Sequence, residues 1–167
     1  MGRILLLGHG DTYDFNEESY FVGKNKVTPI VCKTAGVPLN LATLWRCDTL
    51  DILASVKPTI IQDFTKTMTS KHYDGMYSII TTMCVGWGLF VRSNGTLRKT
   101  AWSNTARLLQ AEGYLIIVTP PTHIQTPSPF RKLSKDAKNQ LLMKWNARKT
   151  LREEWDNLSI YVKVHMD

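Results

Sequence analysis

Apolar residues gather in this chain into short, unbroken runs. The first, "ILLL" at residues 4–7, has no polar alternation, the pattern of a strand covered on both faces of a parallel sheet. "LWRCDTLDI" predicts a second strand ending at Asp51, "SVKPTIIQDF" a loop and a strand ending at Asp63, and "YDGMYSIITTMC" a strand starting after Asp74. "GYLIIVTPP" is a further buried strand, flanked by Gly113 and by Pro120 and Pro121. Near the end, "NLSIYVKVHM" alternates with period two and predicts a closing strand.

Two stretches carry helical periodicity instead. From Ser93 or Asn94 as cap, Leu97, Ala101, Thr105 and Leu108 share one face, and Gly113 supplies the stop. After a Pro-rich loop at 121–133, Ser134 is a good N-cap with Leu133 as a hydrophobic staple. A basic helix over 134–155 then places Leu141, Trp145, Arg148, Leu151 and Trp155 near one stripe, where the stem of the arginine can lie along apolar surface. Between the first two strands, "FV", the turn-like "GKNK" and "VTPIV" predict a hairpin. Strand, loop, strand, helix, strand is the order of an α/β sheet with helical crossovers, which places ligands at the carboxyl ends of its strands.

At 167 residues, 43% of them hydrophobic and 21% charged, the chain reads as one globular domain over 1–167. No apolar run reaches the length of a signal core or a membrane span, so a soluble, unsecreted protein without membrane insertion is expected. Cys32, Cys47 and Cys84 are odd in number and lack a C-x-x-C spacing, and His9, His72, His123 and His165 are scattered. Neither a disulfide framework nor a metal site is expected. The net charge of +7 is concentrated: between Arg131 and Arg152 eight basic residues stand against Asp136 alone, which equals the whole excess. That stripe, with Lys138, Lys144, Arg148 and Arg152, reads as a footprint for nucleic acid or an acidic protein surface, or, more commonly for such a pattern, as a solvated helix face.

The candidate chemistry lies at the strand ends. Gly8 and Gly10 follow the first strand, Asp51 ends the second and Asp63 the third. Glycines there let backbone approach a ligand, an acid at the second tip can accept both hydroxyl protons of a ribose, and one at the third can accept from an adenine amino group. Taken singly, an aspartate at a strand end is more often a turn former or cap. In this order "ILLLGHGD", "LDI", "PTIIQDF", "YDGMYSIITTMC" and "ARLLQAEGYLIIVTP" resemble the class I, Rossmann-like S-adenosylmethionine-dependent methyltransferases over residues 3–120.

The resemblance implies a single α/β, methyltransferase-type domain: a mostly parallel central sheet flanked by helices, with a C-terminal antiparallel strand. It implies S-adenosylmethionine as cofactor, held by Gly8, His9, Gly10, Asp51, Asp63 and Tyr77, with Ser78 beside the same edge. Trp87, in "CVGWGLF", is a candidate to stack on a base or cap the pocket, and buried packing is its other reading. Three features depart from the family pattern. Residues 11–15 stand where a helix should open, and 13–43 form an irregular insertion in place of the first crossover helix. Bulky His9 sits between the glycines, and no Asp/Asn-Pro-Pro-Tyr/Phe signature follows the fourth strand.

The expected function is methyl transfer to a nucleic acid or protein. Transfer from a sulfonium needs alignment more than covalent help, so no catalytic residue is singled out. The alternative is a methyltransferase-fold module that has lost catalysis and joins partner proteins in an assembly. Short, divergent methyltransferase-like proteins of large DNA viruses are similar to this chain, which implies the cytoplasm or nucleus of a host cell, or a virus particle. An NAD-dependent oxidoreductase is disfavoured, because Tyr13 stands where the third glycine of G-x-G-x-x-G belongs.

Overall fold

The computed structural model describes residues 3–8, 20–22, 25–27, 46–56, 58–82, 89–90, 95–118, 125–144 and 158–164. In chain order these form β1 (Arg3–Leu7), β2 (Tyr20–Val22), β3 (Asn25–Val27), β4 (Arg46–Asp51), β5 (Ile60–Ile61) and β6 (Tyr77–Thr82). There follow α1 (Gly95–Leu108), β7 (Leu109–Val118), β8 (Phe130–Lys132), α2 (Lys135–Lys144) and β9 (Leu158–Lys163). Seven strands make one sheet in the order β5-β4-β1-β6-β7-β9-β8, and β2 and β3 pair separately as a hairpin. The five strands from β5 to β7 are parallel, and β9 runs antiparallel to both of its neighbours. This is the Rossmann-like sheet with an antiparallel C-terminal strand that the resemblance implied.

Burial explains why the strands read as unbroken apolar runs. The row Thr49, Leu6, Thr81, Ile116, Ile160 crosses five strands in register, and all five residues are buried. On the other face runs the row Asp48, Leu5, Ile80, Leu115, Tyr161, equally buried. This face meets α1, with Trp102 at the centre: its ring lies 5.1 Å from Phe90, 5.3 Å from Phe130 and 5.2 Å from Tyr161 between centroids. Such offset and edge contacts are favoured by the ring quadrupoles. Sheet centres covered on both sides leave no polar face for alternation to mark. For that reason β9, expected to alternate, is instead buried continuously from Ser159 to Val162 between β7 and β8.

Several boundaries differ from the sequence expectation. The third strand stops at Ile61, two residues before Asp63; Thr49 and Thr59 extend its pairing by each accepting the other's amide at 3.0 Å through the hydroxyl oxygen. The helix α1 stops at Leu108 rather than near Gly113, because Leu109 is drawn into pairing with Tyr77. The connection turns at Glu112, whose φ is 63°, and Gly113 packs so closely that a Cβ would meet Gln110 O at 3.0 Å and Ser78 O at 3.1 Å. Lys163 of β9 completes the helix end, its ammonium donating to Ala106 O at 2.6 Å and Leu109 O at 2.8 Å. Burial draws the pKa of that lysine down, partly offset by Asp74.

Ser134 caps α2 as expected, accepting the amide of Ala137 at 3.1 Å. The inward face of α2 differs: Lys138 and Leu142 are buried and Leu141 is only half-buried, so the stripe is rotated from the one the sequence suggested. Residues 145–155 of the expected helix, and most of the 13–43 insertion, lie outside the described residues. Among the described residues no helix is long and apolar enough to cross a membrane.

Candidate functional site

From β1 the chain moves outward through β4 to β5, then crosses to the other side of β1 for β6 and β7. The order therefore reverses between β1 and β6, and in open α/β sheets the crevice beyond the carboxyl ends at such a point is where ligands bind. Here the tips of β1, β4 and β5 are tied together by backbone bonds that continue past the strands. Gly8 N donates to Leu50 O at 2.9 Å, and Gln62 N donates to Asp51 O at 3.0 Å. Gly8 has a φ of 71°, in the left-handed region that glycine enters without strain.

These tips enclose a pocket of about 140 Å³. Its walls are Leu7, Leu50, Ile52, Phe64 and Leu89, and its polar side chains are Asp51, Gln62 and Asp63. The lining is thus mostly apolar with a few polar side chains among it, the composition of a small-ligand pocket. Ile52 is 59% exposed even though it follows a buried strand end, so an apolar surface is presented beside the acids.

Both carboxylates are held by local turns. Asp51, itself buried, accepts the amide of Leu53 on Oδ1 at 2.9 Å. Asp63 accepts both the hydroxyl and the amide of Thr65 on Oδ1, at 2.6 and 2.9 Å. The Thr65 hydroxyl, then its amide, hold the Asp63 carboxyl below its usual pKa, so it is an acceptor at neutral pH. The loop behind Asp63 is fastened to α1. Asn104 donates to Phe64 O at 3.1 Å and Lys66 O at 2.9 Å and accepts the Met68 amide at 3.3 Å, which satisfies this buried amide. Arg107 adds bonds to Met68 O and Ser70 O and an ion pair with Asp74 at 3.0 Å.

Not every expected site residue reaches this pocket. Gly8, Asp51 and Asp63 come together there; His9, Gly10 and Trp87 lie outside the described residues. Tyr77 requires a correction. It begins β6 rather than ending it, so it stands toward the amino edge of the sheet, fully buried, with its hydroxyl donating to Asp48 Oδ2 at 2.8 Å. Arg3 donates to the same oxygen and lies over the Tyr77 ring, 5.6 Å from its centroid. Burial, reinforced by Asp48, raises the Tyr77 pKa far above its ordinary value. Ser78 follows it at the same edge and is also buried. Sequence reasoning missed this Arg3, Asp48, Tyr77 cluster; its only signal was an acid inside the run "RCDTLD".

A second correction concerns the basic stripe. Lys138 is 7% exposed and faces inward beside Leu142, so it does not belong to a solvent-facing cationic surface. Lys144 is exposed, as are Arg131 and Lys132 on the edge strand β8, while Arg148 and Arg152 lie outside the described residues. Charges on an edge strand also discourage pairing with another chain. Among the described residues no cluster of three His, Cys, Asp or Glu side chains forms.

Fold and pocket together define a Rossmann-like α/β protein with a candidate ligand site beside its switch point. Two solved structures are similar to it. The MccD protein aligns at 12% identity and a TM-score of 0.41, over 98% of this chain and 90% of that one. Phosphoethanolamine N-methyltransferase 2 of Haemonchus contortus, in complex with phosphomonomethylethanolamine and S-adenosylhomocysteine, aligns at 9% identity and a TM-score of 0.39, over 98% of this chain and 49% of that one. No protein-family model matches the chain, and no curated protein does. Function therefore rests on the residues of the site.

Proposed function

We propose that the pocket at the tips of β1, β4 and β5 holds the adenosine part of S-adenosylmethionine and that the protein is a methyltransferase acting on a nucleic acid or protein. The observation that supports this reading is the convergence of Gly8, Asp51 and Asp63 on one apolar pocket beside the switch point. Asp51 is assigned to the ribose hydroxyls and Asp63 to the adenine amino group, with Ile52 and Phe64 as apolar walls for the base. The two local turns favour these roles, because a carboxylate with a fixed rotamer is an acceptor organised before the ligand arrives. At about 140 Å³ the cavity suits part of a nucleoside rather than a whole cofactor. The bound cofactor would supply an activated sulfonium methyl group; what the chain contributes is the orientation of the nucleoside.

Calorimetric titration with S-adenosylmethionine and S-adenosylhomocysteine tests the reading. Micromolar binding, about 8 kcal/mol, is the expected outcome. Absence of heat and of any thermal shift would reduce Asp51 and Asp63 to turn caps. The chain would then fit the alternative of a non-catalytic module in a larger assembly.

A further inference from the structure

A second and larger cavity lies elsewhere. It is a groove of about 650 Å³ between α1 and the segment 125–129, and it shares no described residue with the pocket at the strand tips. One wall is a single helix face: Arg98 and Lys99, then Trp102 and Ser103, then Ala106, on three successive turns. The other wall is Gln125 through Pro129, fixed at its base by backbone bonds from Phe130 N to Pro127 O and from Val164 N to Pro129 O, both 2.9 Å. Trp102 is anchored by donating its indole N–H to Phe90 O at 3.3 Å, and Phe130, next to the second wall, packs against its ring. Both walls are therefore anchored by hydrogen bonds and ring contacts.

Its chemistry is one-sided. Among the described lining residues there is no aspartate or glutamate, whereas Arg98 and Lys99 stand on one turn of the helix wall and Ser103, Thr126 and Ser128 add hydroxyls. Ala106, Pro127 and Pro129 supply apolar surface, and neither proline presents an N–H. Adjacent cations and neutral hydroxyls favour an anionic group with several acceptor oxygens. The volume is that of a site for an entire small molecule, far more than an inorganic anion needs.

We infer that this groove binds a small organic phosphate, its phosphoryl group at Arg98 and Lys99 and its apolar body between Ala106 and the two prolines. The inference does not rest on the methyltransferase reading, because the groove and the strand-tip pocket have no described lining residue in common. Phe90 lies between them, 6.4 Å from Phe64 of the pocket and 5.1 Å from Trp102 of the groove.

The test uses naphthyl phosphate as probe, with naphthol and inorganic phosphate as controls, followed by amide chemical shifts of the nitrogen-labelled full chain. The expected result is a shift cluster at Ser103, Ala106, Gln125 and Thr126, with an affinity about tenfold or more above either control. Lys99→Glu should weaken that binding about tenfold. Ser103→Trp, which fills the groove from an exposed helix position, should abolish it while leaving the thermal melt unchanged. Naphthol binding as tightly as the phosphate would overturn the assignment. So would shifts centred on Gly8, Asp51 and Asp63, or wild-type affinity in Ser103→Trp.

Discussion

Asp51, the last residue of β4, and Asp63, two residues beyond the neighbouring parallel strand β5, are held in the same way: each carboxylate accepts the amide two residues further on, Leu53 and Thr65, at 2.9 Å. The turns account for the local conformation without a ligand, yet they also aim both acids at one cavity. Stability and ligand binding can therefore be separated at these positions by substitutions that preserve the turn.

Asp51→Asn keeps an oxygen for the Leu53 amide and removes the charge. It should fold with a near-normal melting temperature and bind S-adenosylhomocysteine at least tenfold more weakly, a loss of about 1.4 kcal/mol. Calorimetry on the variant checks this, and unchanged affinity would remove Asp51 from the site.

For Asp63 the test is pH. Its folded pKa is lowered from 3.8, chiefly by the Thr65 hydroxyl. The stability this provides is therefore complete above the unfolded value and lost as pH falls through the lowered folded value. Thr65→Val should be less stable than the native chain at neutral pH, with the difference shrinking below about pH 4. Urea midpoints measured across that range give the comparison; a difference independent of pH would assign the effect to packing.

Tyr77→Phe removes one donor from the buried Asp48 carboxylate. A loss of about 1–3 kcal/mol in unfolding free energy is expected. Because Tyr77 sits toward the amino edge of the sheet, S-adenosylhomocysteine affinity should stay where it was. Denaturant melts and calorimetry on the same sample separate the two quantities.

Asn104→Ala deprives two carbonyls and an amide of the 64–68 loop of their partner. It should cost about 1–3 kcal/mol and, unlike Tyr77→Phe, also weaken nucleoside binding, since Phe64 lines the pocket and Asp63 precedes it. Stability lost with full binding retained would show that the loop holds its shape without α1.

The sequence exposed the strands because both sheet faces are covered, so apolar runs such as residues 4–7 mark them directly. Asp51 and Asp63 were legible for the same reason, as polar residues placed where a run stops. Asp48 was not, since its partners Arg3 and Tyr77 are 45 and 29 positions away and meet it only across the sheet. Tyr77 was misplaced by a question of direction: the end of β6 on which a residue falls decides which edge it serves. On α2, the adjacent leucines Leu141 and Leu142 left the inward face ambiguous, and the burial of Lys138 depends on packing that periodicity does not encode.

The interleaved position of β9 bears on how the chain is made. β7 and β8 leave the ribosome first, yet neither pairs with the other, and both require the strand that follows them. Among the described strands, then, the outer edge of β7 has no partner until β9 is made, and neither does β8. An unpaired edge is a template for wrong association. Among the described strands the last in chain order is thus an inner one, so the order of the sheet is not the order of synthesis, and β8 joins the sheet only through β9.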